Sequence, residues 1–212
     1  MFWFYSLLSI VSFFMILIVR GWLILDLTDS AFMVTAVNAA QLVPMLVLPL
    51  LGGVLADRGG RKILLLVTDT FNLLSLLVMA VLLFAGWIEV WHVFALSLAN
   101  GVAFSFAMPA RTSVVPDLVG PGDIPSAIAL FSTIFSLGQI AGPAPAAFII
   151  GAWGMGTTFL VAAGILVPSL IGMALFPVPR HAGTYRPDAD KPRESVVQSI
   201  LGGFRYVRRQ QL

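Results

Sequence analysis

The sequence predicts an all-α membrane protein, a bundle of six transmembrane helices. Three observations lead there. The 212 residues are 59% hydrophobic and only 10% charged, where soluble domains carry roughly 25% charged residues. Six apolar runs are each long enough for a bilayer core roughly 30 Å thick. Threading these runs as spans puts eleven of the twelve lysines and arginines on one side.

The runs cover residues 2–25, 32–55, 63–85, 90–110, 126–151 and 155–176. The first is apolar from Phe2 onward, with no basic n-region and no small-residue cleavage site, so it reads as a span and not a removable signal. None of the runs shows the alternating pattern of a membrane barrel. Helices satisfy their backbone groups internally, so a helical bundle follows. Asp26 to Ser30 joins the first two spans and offers an N-cap to the second. Gly86 to Glu89 joins the third and fourth, with Trp87 and Trp91 placed as interface aromatics. Ala152-Trp153-Gly154 joins the last pair. After the bundle, residues 1–176, the composition turns polar. Residues 177–193 read as a linker, and residues 194–212 as a basic amphipathic helix at a membrane surface.

Arg58, Arg61, Lys62, Arg111 and seven cations of the tail share one side, while the opposite loops hold Asp26, Asp29 and Glu89. That bias predicts a multi-pass protein of the cell (inner) membrane with its N-terminus and C-terminal tail cytoplasmic.

The second connection carries the most specific pattern. Gly53-Val54-Leu55-Ala56-Asp57-Arg58-Gly59-Gly60-Arg61-Lys62 reads G-x-x-x-D-R-x-G-R-K. Its glycines suit a tight turn. Asp57 falls at a helix C-terminus, and Arg61 and Lys62 at a helix N-terminus, each the unfavourable end of its own helix dipole. Pairing of Asp57 with Arg58 or Arg61 relieves part of this. The remainder calls for outside partners, a neighbouring helix N-terminus for Asp57 and lipid phosphate or carboxylates for the cations. An ordinary positive-inside turn explains the basic residues and a glycine or two, but not the full pattern. Here the sequence resembles the major facilitator superfamily of transporters. The resemblance implies a cytoplasmic gate in which Asp57 is the gate anion, with Gly53, Arg58, Gly60, Arg61 and Lys62 supporting it.

The fifth run contains Gly138-Gln139-Ile140-Ala141-Gly142-Pro143-Ala144-Pro145-Ala146-Ala147. This is similar to the G-x-x-x-G-P-x-x-G-G of antiporting exporters in the superfamily, with alanine in the last two positions. Physically it is a small-residue face, Gly138 and Gly142, next to a proline kink at Pro143. With Pro109-Ala110-Arg111 and Val115-Pro116-Asp117-Leu118, the run resembles the siderophore and multidrug exporter branch. One departure stands out: residues 97–101 lack the arginine that antiporters often place there, so a proton relay through it is not supported.

Ionisable groups inside spans are costly and often functional. Asp69 sits about two turns into the third span, and antiparallel packing brings Arg111 of the fourth alongside. A structural Asp69–Arg111 pair is expected; the rival reading makes Asp69 a titrating, proton-coupling group. Arg20 lies about 27 Å along the first helix from Phe2. It reads either as snorkelling toward headgroups or as a cation lining an outward cavity. Asn38, Gln41, Asn72, Asn100 and Gln139 are the other candidates for a polar cavity, and Phe13, Phe14, Phe104 and Phe106 for its walls.

There is no cysteine, and the two histidines are far apart, so neither a metal nor a cofactor is expected. No nucleophilic triad or phosphate loop is legible, so an enzyme is not expected, and nothing points to nucleic acid. The resemblance implies the N-terminal half of a secondary transporter, a three-plus-three inverted repeat. Its partners would be the bilayer, a second six-helix half and a small-molecule substrate. Proton-coupled export of small amphipathic molecules such as drugs or siderophores is the expected activity. A non-transporting six-helix scaffold or regulatory subunit, or a self-pairing half, is the alternative.

Overall fold

The computed structural model describes residues 2–48, 61–119 and 121–175, and every regular element among them is helical. These are α1 (Phe2–Thr28), α2 (Ala31–Val47), α3 (Arg61–Phe84), α4 (Val90–Val114), α5 (Ile124–Ala141) and α6 (Pro143–Leu175). Short 3₁₀ turns at Val115–Leu118 and Pro121–Asp123 lead from α4 into α5. Among the described residues, four stretches are long and apolar enough to cross a bilayer: Phe2–Thr28, Arg61–Phe84, Val90–Val114 and Ile124–Leu175. Helix α2 is a shorter apolar helix of 17 residues. The expected second span runs on to residue 55, so its end lies outside the described residues, as do Gly53, Asp57, Arg58, Gly60 and the expected linker and tail helix over residues 177–212.

The turns have local causes. Asp29 adopts φ 49°, the left-handed conformation that short polar side chains tolerate, and its N–H donates to Leu25 O at 2.8 Å. Ser30 then caps α2, its hydroxyl accepting from Met33 N at 3.4 Å. Gly86 at φ 69° turns the chain between α3 and α4. Glu89 opens α4 with a reciprocal cap, its own N–H donating to His92 Nδ1 at 3.2 Å.

The last stretch is not one rod. Up to Pro143 the helical bonding continues, Gly142 N donating to Gly138 O at 2.9 Å. At Gly154, φ 82° and ψ 173° break it. Register against α1 shows what the break does. Gly138 packs on Ile10, and Gly142 on Val11 and Phe14, so the chain advances along α1. Beyond the break, Ser12 Oγ donates to Ala162 O at 2.9 Å and Ser169 Oγ to Tyr5 O at 2.7 Å, so the chain runs back down it.

Helix α1 is the hub. Its buried residues Phe2, Ser6, Ser9, Ser12, Met15, Ile16, Val19, Arg20, Leu23 and Ile24 recur at helical spacing. The three serines let neighbouring helices approach closely. α1 packs on α6, α5 and α2; α3 packs on α6 and α4; α2 packs on α4. The main core joins Met15, Val19, Leu23 and Ile24 of α1 to Leu76 and Ala80 of α3 and to Phe159, Ala162 and Leu166 of α6. Trp22, Trp87, Trp91 and Trp153 are all exposed and cluster at the end holding the Asp29, Gly86 and Gly154 turns. Indole rings favour the headgroup layer, so this end carries an interfacial belt.

Candidate functional site

Two buried polar centres interrupt the apolar bundle. The first lies toward the end where α1 begins and α4 finishes. Asp69 belongs to the buried stripe of α3 with Leu65, Thr68 and Leu76. Arg111 belongs to the buried stripe of α4 with Ala107, Ala110 and Val114, in a last turn whose dipole favours a cation. Arg111 Nη2 meets Asp69 Oδ1 at 2.9 Å and Oδ2 at 3.0 Å, with both side chains about 95% buried. Ser9 of α1 completes the group: its hydroxyl accepts from Arg111 Nη2 at 2.6 Å and donates to Asp69 Oδ1 at 3.2 Å. Arg111 Nη1 also donates to Ser6 O at 3.5 Å. Three helices are thus tied by one closed, charge-neutral network.

That network forms one wall of a cavity of about 40 Å³, room for roughly two or three waters. Thr68, Asn72 and Asn100 add polar lining, and Phe13, Phe104, Met108 and Phe135 supply apolar walls. Phe13 and Phe104 stack with ring centroids 4.3 Å apart. Asn100 Oδ1 is buried without a hydrogen-bond partner. The site therefore offers a neutral polar floor and aromatic walls. A second hollow lies alongside, lined by Met45, Phe104, Ser105, Met108, Pro109 and Thr112.

The second centre is Arg20. Its snorkelling is corrected by the structure: the residue is 3% exposed and its Nη2 donates to Gln41 Oε1 of α2. Arg20 follows Ile16 and Val19 on the packed face of α1, so its side chain leaves the helix toward α2 and not toward headgroups. An arginine inside a span costs up to about 2.5–3.5 kcal/mol on insertion scales, and a neutral amide offsets only part of that. Gly101 of α4 abuts the Gln41 backbone, where a Cβ would come within 3.0 Å of Gln41 Cα and overlap its carbonyl oxygen.

The other candidates separate. Asn38 and Asn72 are half-buried, Gln139 is exposed, and Phe14 packs edge-on against Phe135. Gly138 of α5 and Gly142 just after it face α1, as a small-residue face requires, and Pro143 opens α6. Arg61 Nη1 donates to Ser113 O at 2.6 Å and Lys62 Nζ to Ala174 O at 2.7 Å. Carbonyls at the C-terminal ends of α4 and α6 are thus among the partners of the two cations. Antiparallel packing places those negative dipole ends beside the positive start of α3. Ser9, Thr68 and Phe135 had not been singled out; the Ser6–Ser9–Ser12 spacing on α1 was the available signal for the first. Among the described residues, no three His, Cys, Asp or Glu side chains converge to hold a metal.

A family model described as transmembrane secretion effector matches residues 1–211. The chain is 28% identical over 191 residues to the Multidrug efflux pump Tap of Mycolicibacterium fortuitum, covering 88% of this chain and 46% of that protein. It is 25% identical over 173 residues to the Staphyloferrin A transporter of Staphylococcus aureus, covering 79% and 44%. It is 30% identical over 181 residues to the Enterobactin exporter EntS of Shigella boydii, covering 82% and 39%. The chain spans less than half the length of these relatives.

Proposed function

The chain belongs to the transmembrane secretion effectors of the major facilitator superfamily, and on that premise we propose that it forms one six-helix half of a proton-coupled exporter of small amphipathic molecules. The six crossings would be α1, the span that contains α2, α3, α4, α5 continued through residues 143–153, and residues 155–175. The pairing of helices carries this reading. Exchanging α1 with α4, α2 with α5 and α3 with α6 turns the α1–α6 contact into α4–α3 and the α2–α4 contact into α5–α1, while α3–α6 maps onto itself. A three-plus-three inverted repeat has that property.

The Asp69–Arg111–Ser9 network locks α1, α3 and α4 near the cytoplasmic end, and the cavity beside it contributes this half's share of the substrate path. Arg61 and Lys62 tie the start of α3 to the ends of α4 and α6, and Asp57 is the gate anion that would meet the second half. The tryptophan belt then marks the outer face of the inner membrane. The names of the relatives, a drug pump and siderophore transporters, support an amphipathic cargo. The test is efflux of ethidium from vesicles carrying the complete protein and energised by a pH gradient. Export that a protonophore abolishes is expected; vesicles that never move the dye, with the protein folded and inserted, would sink the proposal.

A further inference from the structure

The two buried arginines are satisfied in opposite ways. Arg111 is neutralised by Asp69. Arg20, equally buried, has only the neutral Gln41 oxygen, and its Nε has no hydrogen-bond partner. The other carboxylates described, those of Asp26, Asp29, Glu89 and Asp123, are all exposed. Arg20 lies about 12 Å from the Thr28 end of α1, Gln41 about 15 Å into α2, and Gly101 about 16 Å into α4, so the three share one layer. Gly101 admits the Gln41 backbone and so fixes where the amide stands. The Arg20–Gln41 bond is the one side-chain hydrogen bond between α1 and α2 among the described residues. A guanidinium in that position has a positive charge, a free donor and a single neutral holder.

We propose that Arg20 is an anion-recognition point: held by Gln41 where α1, α2 and α4 meet, it takes a carboxylate or similar oxyanion of the molecule carried. This rests on the transporter reading and adds a substrate class to it. The fork of donors matches a planar oxyanion, and the low surrounding polarity makes an incoming anion a strong partner. An acidic side chain from elsewhere in the protein would bring the same chemistry, and the experiment separates the two sources.

The complete protein in phosphatidylcholine nanodiscs is titrated with dansylglycine and dansylglycinamide, which share a fluorophore and differ by one carboxylate. Binding is read from dansyl fluorescence, separately from efflux. Dansylglycine is expected to bind about tenfold to a hundredfold more tightly, the range of one charge-assisted hydrogen bond. Arg20→Gln removes that preference and Arg20→Lys keeps most of it. Should Arg20→Gln not fold, Gln41→Leu decides: it frees the guanidinium, so the preference persists or grows, and its loss overturns the proposal. Equal affinity for the two dyes in the wild-type protein also overturns it. So does a preference that survives Arg20→Gln. A preference that depends on Arg20 in a protein that moves no dye supports the anion site and counts against the exporter reading alone.

Discussion

Breaking the Asp69–Arg111 pair one side at a time is expected to cost far more than removing it whole. At about 3 Å and an effective dielectric near 20, the two charges attract by about 5 kcal/mol, most of which offsets their removal from water. Replacing one partner strands the other, at about 3–5 kcal/mol. The geometry orders the two single variants. In Asp69→Leu, Arg111 keeps the Ser9 hydroxyl at 2.6 Å and the Ser6 carbonyl at 3.5 Å, so the loss falls near the lower figure. In Arg111→Met, Asp69 keeps only the Ser9 donor at 3.2 Å, so the loss falls near the upper one. The double variant buries two apolar side chains where a neutralised pair stood and is expected within about 1–2 kcal/mol of the wild type. The assay is denaturant unfolding of the purified protein in mixed micelles, followed by tryptophan fluorescence. Single-variant losses that simply add in the double variant, within about 0.5 kcal/mol, would refute the pairing as an energetic unit.

Three further outcomes follow from the same coordinates. Gly101→Ala sets a methyl against the Gln41 backbone and is expected to destabilise by about 1–3 kcal/mol, whereas Gly164→Ala, with nothing within 4 Å, is neutral or slightly stabilising in the same unfolding assay. Gly154→Ala forces a side chain into φ 82°, ψ 173°; a loss of about 1–3 kcal/mol is expected, read as a lowered thermal midpoint. The sequence has no cysteine, so single cysteines report topology directly: Trp87→Cys and Trp153→Cys react with an impermeant maleimide from the outside of intact cells, and Lys62→Cys only after the membrane is opened.

Much of the fold was legible because lipid imposes a simple length rule, and Asp29, Ser30 and Gly86 mark turns by their backbone preferences. Asp69 and Arg111 were legible as neighbours because antiparallel helices joined by a short turn have a nearly fixed register. The azimuth of α1 was harder. A helix that is apolar all round carries no hydrophobic phase, so depth along the axis follows from counting while the facing side does not. The azimuth therefore left Arg20 open between a headgroup anchor and a cavity cation, although it lies on the packed stripe with Ile16 and Val19. Ser9 was overlooked for a related reason, since a hydroxyl in a span looks like packing until a charge is placed beside it. Arg61 and Lys62 looked mismatched to their own helix because part of their relief comes from the ends of two helices distant in sequence.

These features divide the bundle into layers with different electrostatic states. At one end, cations meet helix-end carbonyls: Arg61 at Ser113 and Lys62 at Ala174. One layer inward, a cation and an anion cancel in the Ser9–Asp69–Arg111 network. Nearer the opposite end, Arg20 is held by an amide alone. Relief by fixed groups thus declines with distance from the first end. A buried charge that fixed groups satisfy fully has no free energy left to gain from a guest, and one left partly unsatisfied does. The layer of Arg20, and not the more conspicuous ion pair, is therefore where a charged guest would gain most from binding.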